Sequence, residues 1–144
     1  MNREIYQDII LSHFRAPKWK ESLGEDTDAF TVRNPSCGDV IRLRVAADDI
    51  GTLHVIHDAQ GCAASVSSCS IMCDTLQGLS IDEASRKVEI FLEALNRNDP
   101  IQPNQVSLEI EALLFFRNVP ARRQCVSLAW TCAQNALAAL RKAR

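Results

Sequence analysis

Nowhere in the 144 residues is there an unbroken apolar run long enough to span a bilayer. The opening Met1-Asn2-Arg3-Glu4 leads into a mixed-charge segment, not the apolar core of a signal peptide. The expectation is a cytoplasmic protein with no membrane partner. Charge of one sign is not in excess either: 16 Lys and Arg stand against 18 Asp and Glu, a net charge of −2. No basic surplus points to nucleic acid, and no acidic tail points to disorder. There is no internal repeat and no low-complexity tract. The Cys-x-x-Cys of thiol oxidoreductases is absent too. What remains is 47% apolar and 24% charged, the balance of one ordinary globular domain over 1–144 with a full hydrophobic core.

Six cysteines in such a chain need a reason. A core of this size needs no disulfide staples, and in a reducing compartment dispersed thiols bind metal or do chemistry more often than they pair. For any single cysteine, packing as a small apolar residue is the competing explanation.

Apolar positions Ile5, Ile9, Ile10 and Phe14 recur at helical spacing, which predicts an amphipathic helix over 2–15, ended by Pro17. Ile41, Leu43 and Val45 alternate with Arg42 and Arg44, Leu53 and Val55 continue the pattern beyond a turn at Asp48–Gly51, and Phe30 and Val32 begin a strand before them. The result is a three-stranded antiparallel meander. From Cys62 to Leu76 the chain is rich in small residues and reads as a buried helix stopped at Gly78. Ser80-Ile81-Asp82-Glu83 is a capping box opening a helix whose apolar face is Ala84, Val88, Phe91, Leu92 and Leu95. A break over Asn98–Asn104 precedes a short helix over 108–116. Pro120 suits the first turn of a last helix with Leu128, Ala133, Ala136, Leu137 and Leu140 inside. The fold class is α+β: a small sheet followed by about five helices packed on it.

Three segments carry chemistry. In Asn34-Pro35-Ser36-Cys37-Gly38-Asp39, residues two apart in an extended loop point the same way, so the Cys37 sulfur and the Asp39 carboxylate can converge on one ion. A tight turn with Asp39 bonded to backbone amides explains the same residues. Gly61-Cys62 places a thiol at a helix N-terminus, where unpaired N–H groups and the helix dipole favour thiolate; burial in a small-residue helix is the alternative. Arg122-Arg123-Gln124-Cys125 sets two cations beside a thiol early in the last helix, which also favours thiolate.

Together, Cys37, Asp39, Cys62 and Cys125 supply the donors of one tetrahedral thiolate-rich site. Around zinc that set is anionic, and Arg122 and Arg123 are the cations available to balance it. Asp39, the hardest donor, is expected to be the easiest to displace. Cys69 lies roughly 10 Å along the helix from Cys62, too far to share an ion. Cys132 relates to Cys125 in the same way, and Cys73 lies further still from Cys62. All three read as core. His13, His54 and His57 are minor candidates, and His54 and His57 point to opposite faces of a strand.

Asn-Pro-Ser-Cys-Gly-Asp at 34–39, Gly-Cys-Ala-Ala-Ser at 61–65 and Arg-x-x-Cys at 122–125 resemble the three cysteine motifs of the IscU/NifU N-terminal scaffold superfamily. The opening Ile5-Tyr6…Ile9-Ile10…His13…Pro17 resembles its first helix. Gln124 stands where IscU proteins carry histidine, and the 63-residue spacing from Cys62 to Cys125 exceeds theirs by about one helix and loop. Both features are similar to the SufU branch. The resemblance implies zinc held by Cys37, Asp39, Cys62 and Cys125. It also implies a SufS-type cysteine desulfurase as partner and iron–sulfur client or carrier proteins beyond it. Cys37, on a loop, is the favoured acceptor of persulfide sulfur, which would make the chain a sulfur carrier of the sulfurtransferase kind and not a stand-alone enzyme. Two rivals stand beside this reading: a scaffold assembling a [2Fe–2S] cluster on the same residues, and a metal-stabilised adaptor without sulfur chemistry.

Overall fold

Three strands form an antiparallel meander in the order β1 (Phe30–Asn34), β2 (Asp39–Ala47), β3 (Leu53–His57) in the computed structural model, which describes residues 3–25, 28–97, 99 and 106–143. Register pairs Phe30 with Leu43 and Val32 with Ile41 on one side, and Leu43 with His57 and Val45 with Val55 on the other. Because side chains alternate across the pleat, these residues share one face. Ile41, Leu43 and Val55 are fully buried there, while Arg33, Arg44 and His54 are exposed on the opposite face. Asp48 closes the second hairpin, its carboxylate accepting from the Ile50 and Thr52 amides.

Among the described residues, five α-helices complete the fold: α1 (Arg3–Arg15), α2 (Ala63–Leu76), α3 (Ile81–Leu95), α4 (Leu108–Leu114) and α5 (Pro120–Lys142). Helix α5 packs on β1 and β2, α2 packs on β3 and against α5, and α1 and α3 cover the outer sides of α2 and α5. Small side chains let α2 run through the middle of the protein. Ser65, Ser67, Ser68 and Ser70 are all buried on it, each with its hydroxyl bonded, as burial of a polar group requires. Ser68 Oγ donates to the Val126 carbonyl at 2.7 Å and accepts from Trp130 Nε1 at 3.0 Å. Trp130 in turn stacks on Phe91 of α3, ring centroids 4.0 Å apart. The capping box of α3 is complete: the Glu83 amide donates to Ser80 Oγ and the Ser80 amide to Glu83 Oε1, both at 3.1 Å.

Two details differ from the periodicity. The buried line of α1 runs through Ile10 and His13, with Tyr6 and Ile9 partly covered, while Ile5 and Phe14 are each 41% exposed. The reason is polar: His13 Nδ1 pairs with Ser70 Oγ at 2.7 Å and turns that stripe inward. The helix expected over 108–116 keeps α geometry only to Leu114 and tightens into a 3₁₀ turn, Phe115–Asn118, before Pro120 starts α5. The break expected at Asn98–Asn104 lies, except for Asp99, outside the described residues. Among the described residues no helix is long and apolar enough to cross a membrane.

Candidate metal centre

The first hairpin ends on the register pair Asn34 and Asp39, so residues 35–38 form its tip. The tip is tightened by the Gly38 amide bonding to the Asn34 carbonyl at 2.9 Å, with Gly38 at φ +72°. Cys37 is exposed on this tip, whereas Asp39, the first residue of β2, points inward and has no exposed surface. Helix α2 begins beside it. Cys62 is the N-cap residue, in extended conformation, and its thiol makes no capping bond to the helix backbone. Gly61 sits at φ +145°, and a Cβ built there would lie 2.1 Å from Asp39 Oδ1. The missing side chain at position 61 is what admits the carboxylate. Cys125, buried in the second turn of α5, completes the group.

Cys37, Asp39 and Cys125 bring a set of donor atoms within 4.8 Å of one another. Cys62 stands beside this trio, its sulfur 3.7 Å from Asp39 Oδ2. The Cys37 and Cys125 sulfurs are 3.6 Å apart, and Cys37 Sγ is 3.0 Å from Asp39 Oδ2. A tetrahedral zinc with metal–sulfur bonds of about 2.3 Å and metal–oxygen bonds of about 2.1 Å separates its donors by ~3.8 Å between sulfurs and ~3.6 Å between sulfur and oxygen. The Cys37–Cys125 and Cys62–Asp39 separations lie close to those spans, while Cys37 Sγ and Asp39 Oδ2 sit at a shorter, hydrogen-bonding distance; the donor types suit a metal ion of that kind.

The carboxylate is anchored twice on α2. Its Oδ1 accepts from the Cys62 amide at 2.8 Å and its Oδ2 from Ser65 Oγ at 2.6 Å. Burial works against ionisation of Asp39, but hydrogen bonds from Cys37, Ser65 and the Cys62 N–H outweigh it and hold its pKa below the usual carboxylate range. The Asp39 carboxylate is thus held at both oxygens by the start of α2. The thiols respond in the opposite sense. The hydrogen bond to Asp39, and then burial, raise Cys37. Burial, and then contacts with Asp39, Cys37 and Cys62, raise Cys125. The thiolate expected at Cys125 from Arg122 and Arg123 is therefore not what the fold favours by itself. Those guanidiniums stand at the start of α5, and no described hydrogen bond or ion pair joins either to the thiols or the carboxylate. An anion walled in with neutral thiols has the charge deficit that a cation would relieve by letting the thiols ionise.

Cys69, Cys73 and Cys132 are fully buried and lie outside this group, as expected of packing residues. The histidines are engaged elsewhere. His57 is fully buried, Nε2 facing the Lys18 carbonyl at 2.9 Å and Nδ1 the Ala59 amide at 3.1 Å, while His54 is exposed beside Trp19. Two residues given no role from the sequence touch the centre. Asn34 accepts from the Ser36 amide through Oδ1 at 3.1 Å, which turns its Nδ2 toward Cys125 Sγ at 3.8 Å. Ser65 is the other. Its signals were its place at the end of Gly-Cys-Ala-Ala-Ser at 61–65 and its position three residues after Cys62, one helical turn on.

A three-stranded meander under helices, with thiols and one carboxylate gathered where the first hairpin meets two helix starts, defines a small α+β domain with a candidate thiol-based metal site. The chain belongs to the family of the NifU-like N terminal domain, whose model matches residues 5–144. It is 29% identical over 135 residues to the zinc-dependent sulfurtransferase SufU of Bacillus subtilis, covering 93% of this chain and 90% of that one. It is 31% identical over 134 residues to the iron–sulfur cluster assembly scaffold protein IscU of Streptococcus pyogenes, covering 92% and 82%. The fold is shared with a crystal structure described as a putative SUF-system scaffold from Fervidobacterium islandicum, at TM-score 0.78 and 22% identity, covering 95% of this chain and 99% of that one.

Proposed function

We propose that this chain, as one domain over 1–144 in the cytoplasm, serves iron–sulfur cluster biogenesis by accepting persulfide sulfur from a SufS-type cysteine desulfurase and passing it toward client or carrier proteins. The observation that carries the reading is the meeting of one exposed thiol, Cys37, with the buried Asp39 and Cys125. In this reading Cys37, Asp39, Cys62 and Cys125 hold zinc, and Arg122 and Arg123 add positive charge at the start of α5. Bound zinc supplies the positive charge that keeps the thiols ionised.

Cys37 is the acceptor because it alone of the site cysteines is exposed, on a hairpin tip open to a partner's active-site loop. Its thiolate attacks the outer sulfur of the partner's persulfide. A new sulfur–sulfur bond forms on Cys37 as the partner's bond breaks, and the partner's cysteine leaves as thiolate, with no net oxidation. Asp39 and Cys125 stay anchored by α2 and α5. The chain is then a sulfur-carrying co-substrate of the desulfurase.

A desulfurase stimulation assay with metal quantitation tests this. Cys37→Ala should remain folded and lose stimulation; full stimulation by that variant removes the proposed role. The IscU relative lends weight to the second reading, a scaffold for a [2Fe–2S] cluster on the same residues. Colourless, zinc-containing protein after anaerobic purification favours sulfur acceptance, and coloured, iron-containing protein favours the scaffold. An adaptor without sulfur chemistry would form no persulfide with the desulfurase.

A further inference from the structure

Ser65 is the third residue of α2 and has no exposed surface. Its oxygen lies 2.6 Å from Asp39 Oδ2, 3.5 Å from Cys62 Sγ and 3.4 Å from the Cys125 carbonyl. It therefore touches three of the four residues that the proposed function assigns to the metal. A hydroxyl has one proton to give, and an ionised carboxylate oxygen at the shortest of these distances is the strongest acceptor. Both carboxylate oxygens are thus tied to the start of α2, Oδ1 to the Cys62 amide and Oδ2 to Ser65. Without the hydroxyl, Oδ1 keeps its anchor and the carboxylate is free to swing about χ2. The oxygen facing the Cys37 and Cys62 sulfurs would then no longer be fixed. The other buried serines of this helix bond differently: Ser67 to the Ala64 carbonyl, Ser68 to the Val126 carbonyl and Trp130, Ser70 to His13 and the Lys18 amide.

We infer that Ser65 is a positioning residue of this centre, holding the Asp39 carboxylate in the orientation in which Oδ2 serves as a donor beside the thiols. The inference rests on the metal-holding reading above. Partners that orient a ligating side chain in this way typically change metal affinity by about 10–100-fold when removed.

The test compares Ser65→Ala with Ser68→Ala. Each removes a buried hydroxyl from the same helix facing α5, but only the first touches the centre. Zinc affinity is measured by competition with a chromophoric chelator, the environment of the site by the absorption spectrum of the cobalt-substituted protein, and stability by urea denaturation of the metal-free protein. Ser65→Ala should bind zinc about 10–100-fold more weakly and shift the cobalt spectrum. Ser68→Ala should lose stability with affinity and spectrum unchanged. Wild-type affinity and spectrum in Ser65→Ala overturn the inference, as does an equal fall in affinity for both variants. A wild-type chain that binds neither zinc nor cobalt overturns the metal centre itself, and the role of Ser65 with it.

Discussion

Alanine at position 61 is the sharpest probe of how the centre is built. A Cβ there would sit 2.1 Å from Asp39 Oδ1, 2.8 Å from its Cγ and 3.0 Å from its Cα. The oxygen cannot simply move aside, because it accepts from the Cys62 amide at 2.8 Å while its twin accepts from Ser65 at 2.6 Å. Position 61 also carries φ +145°, a region costing about 1–3 kcal/mol for any residue with a side chain. Displacing the carboxylate breaks at least one hydrogen bond to a charged group, worth about 1.5–3 kcal/mol. Gly61→Ala should therefore destabilise the metal-free protein by about 3–5 kcal/mol, a large share of the ~5–15 kcal/mol typical of a domain, and should weaken zinc binding. Urea denaturation measures the first and chelator competition the second. In an Asp39→Ala background the clash with the carboxylate is gone, and the same substitution should cost less: the backbone strain of about 1–3 kcal/mol together with the remaining 3.0 Å approach to the Cα of residue 39. The two positions should thus be coupled in a double-mutant cycle. A Gly61→Ala protein with wild-type stability and zinc affinity, or strict additivity with Asp39→Ala, would refute this account of the site.

Burial raises Cys132 from its ordinary 9.0 to about 12. The folded state then favours the neutral thiol, so its contribution to stability is complete below pH 9 and falls away as pH rises from 9 toward 12; denaturation across that window should show a shallower alkaline decline in Cys132→Ala. Cys37 and Cys125 also hold their protons above the ordinary range without metal, so zinc binding must release protons. Calorimetry in buffers of different ionisation enthalpy should detect that release, and affinity should fall as pH is lowered. Phe91→Ala removes a ring that is 3% exposed and stacked on Trp130. It should cost about 3–5 kcal/mol in urea denaturation while leaving zinc affinity unchanged.

Much of this architecture is written locally. The period-two alternation around Ile41–Val45, the capping box at Ser80–Glu83, and Pro120 at the head of the last helix each depend on neighbours within one turn, and the fold realises all three. The donor set could be proposed for a similar reason: Cys37-Gly38-Asp39 and Gly61-Cys62 carry their own backbone instructions. Three features were beyond sequence reading because they depend on side chains far apart in the chain. Asp39 becomes a firm anchor only where Ser65 and the Cys62 amide reach it, more than twenty residues away. The Asn34 amide finds Cys125 across 91 residues. His13 displaces Phe14 from the buried side of α1 because Ser70 waits on α2. Periodicity ranks residues by polarity alone, so it cannot anticipate a buried polar group whose desolvation is offset by a distant partner. Sequence alone determined which elements form and which residues stand as candidate metal donors. Tertiary structure decided which of those donors are held and which lies open to a partner, because hydrogen bonds and burial between distant segments exist only once the chain has folded.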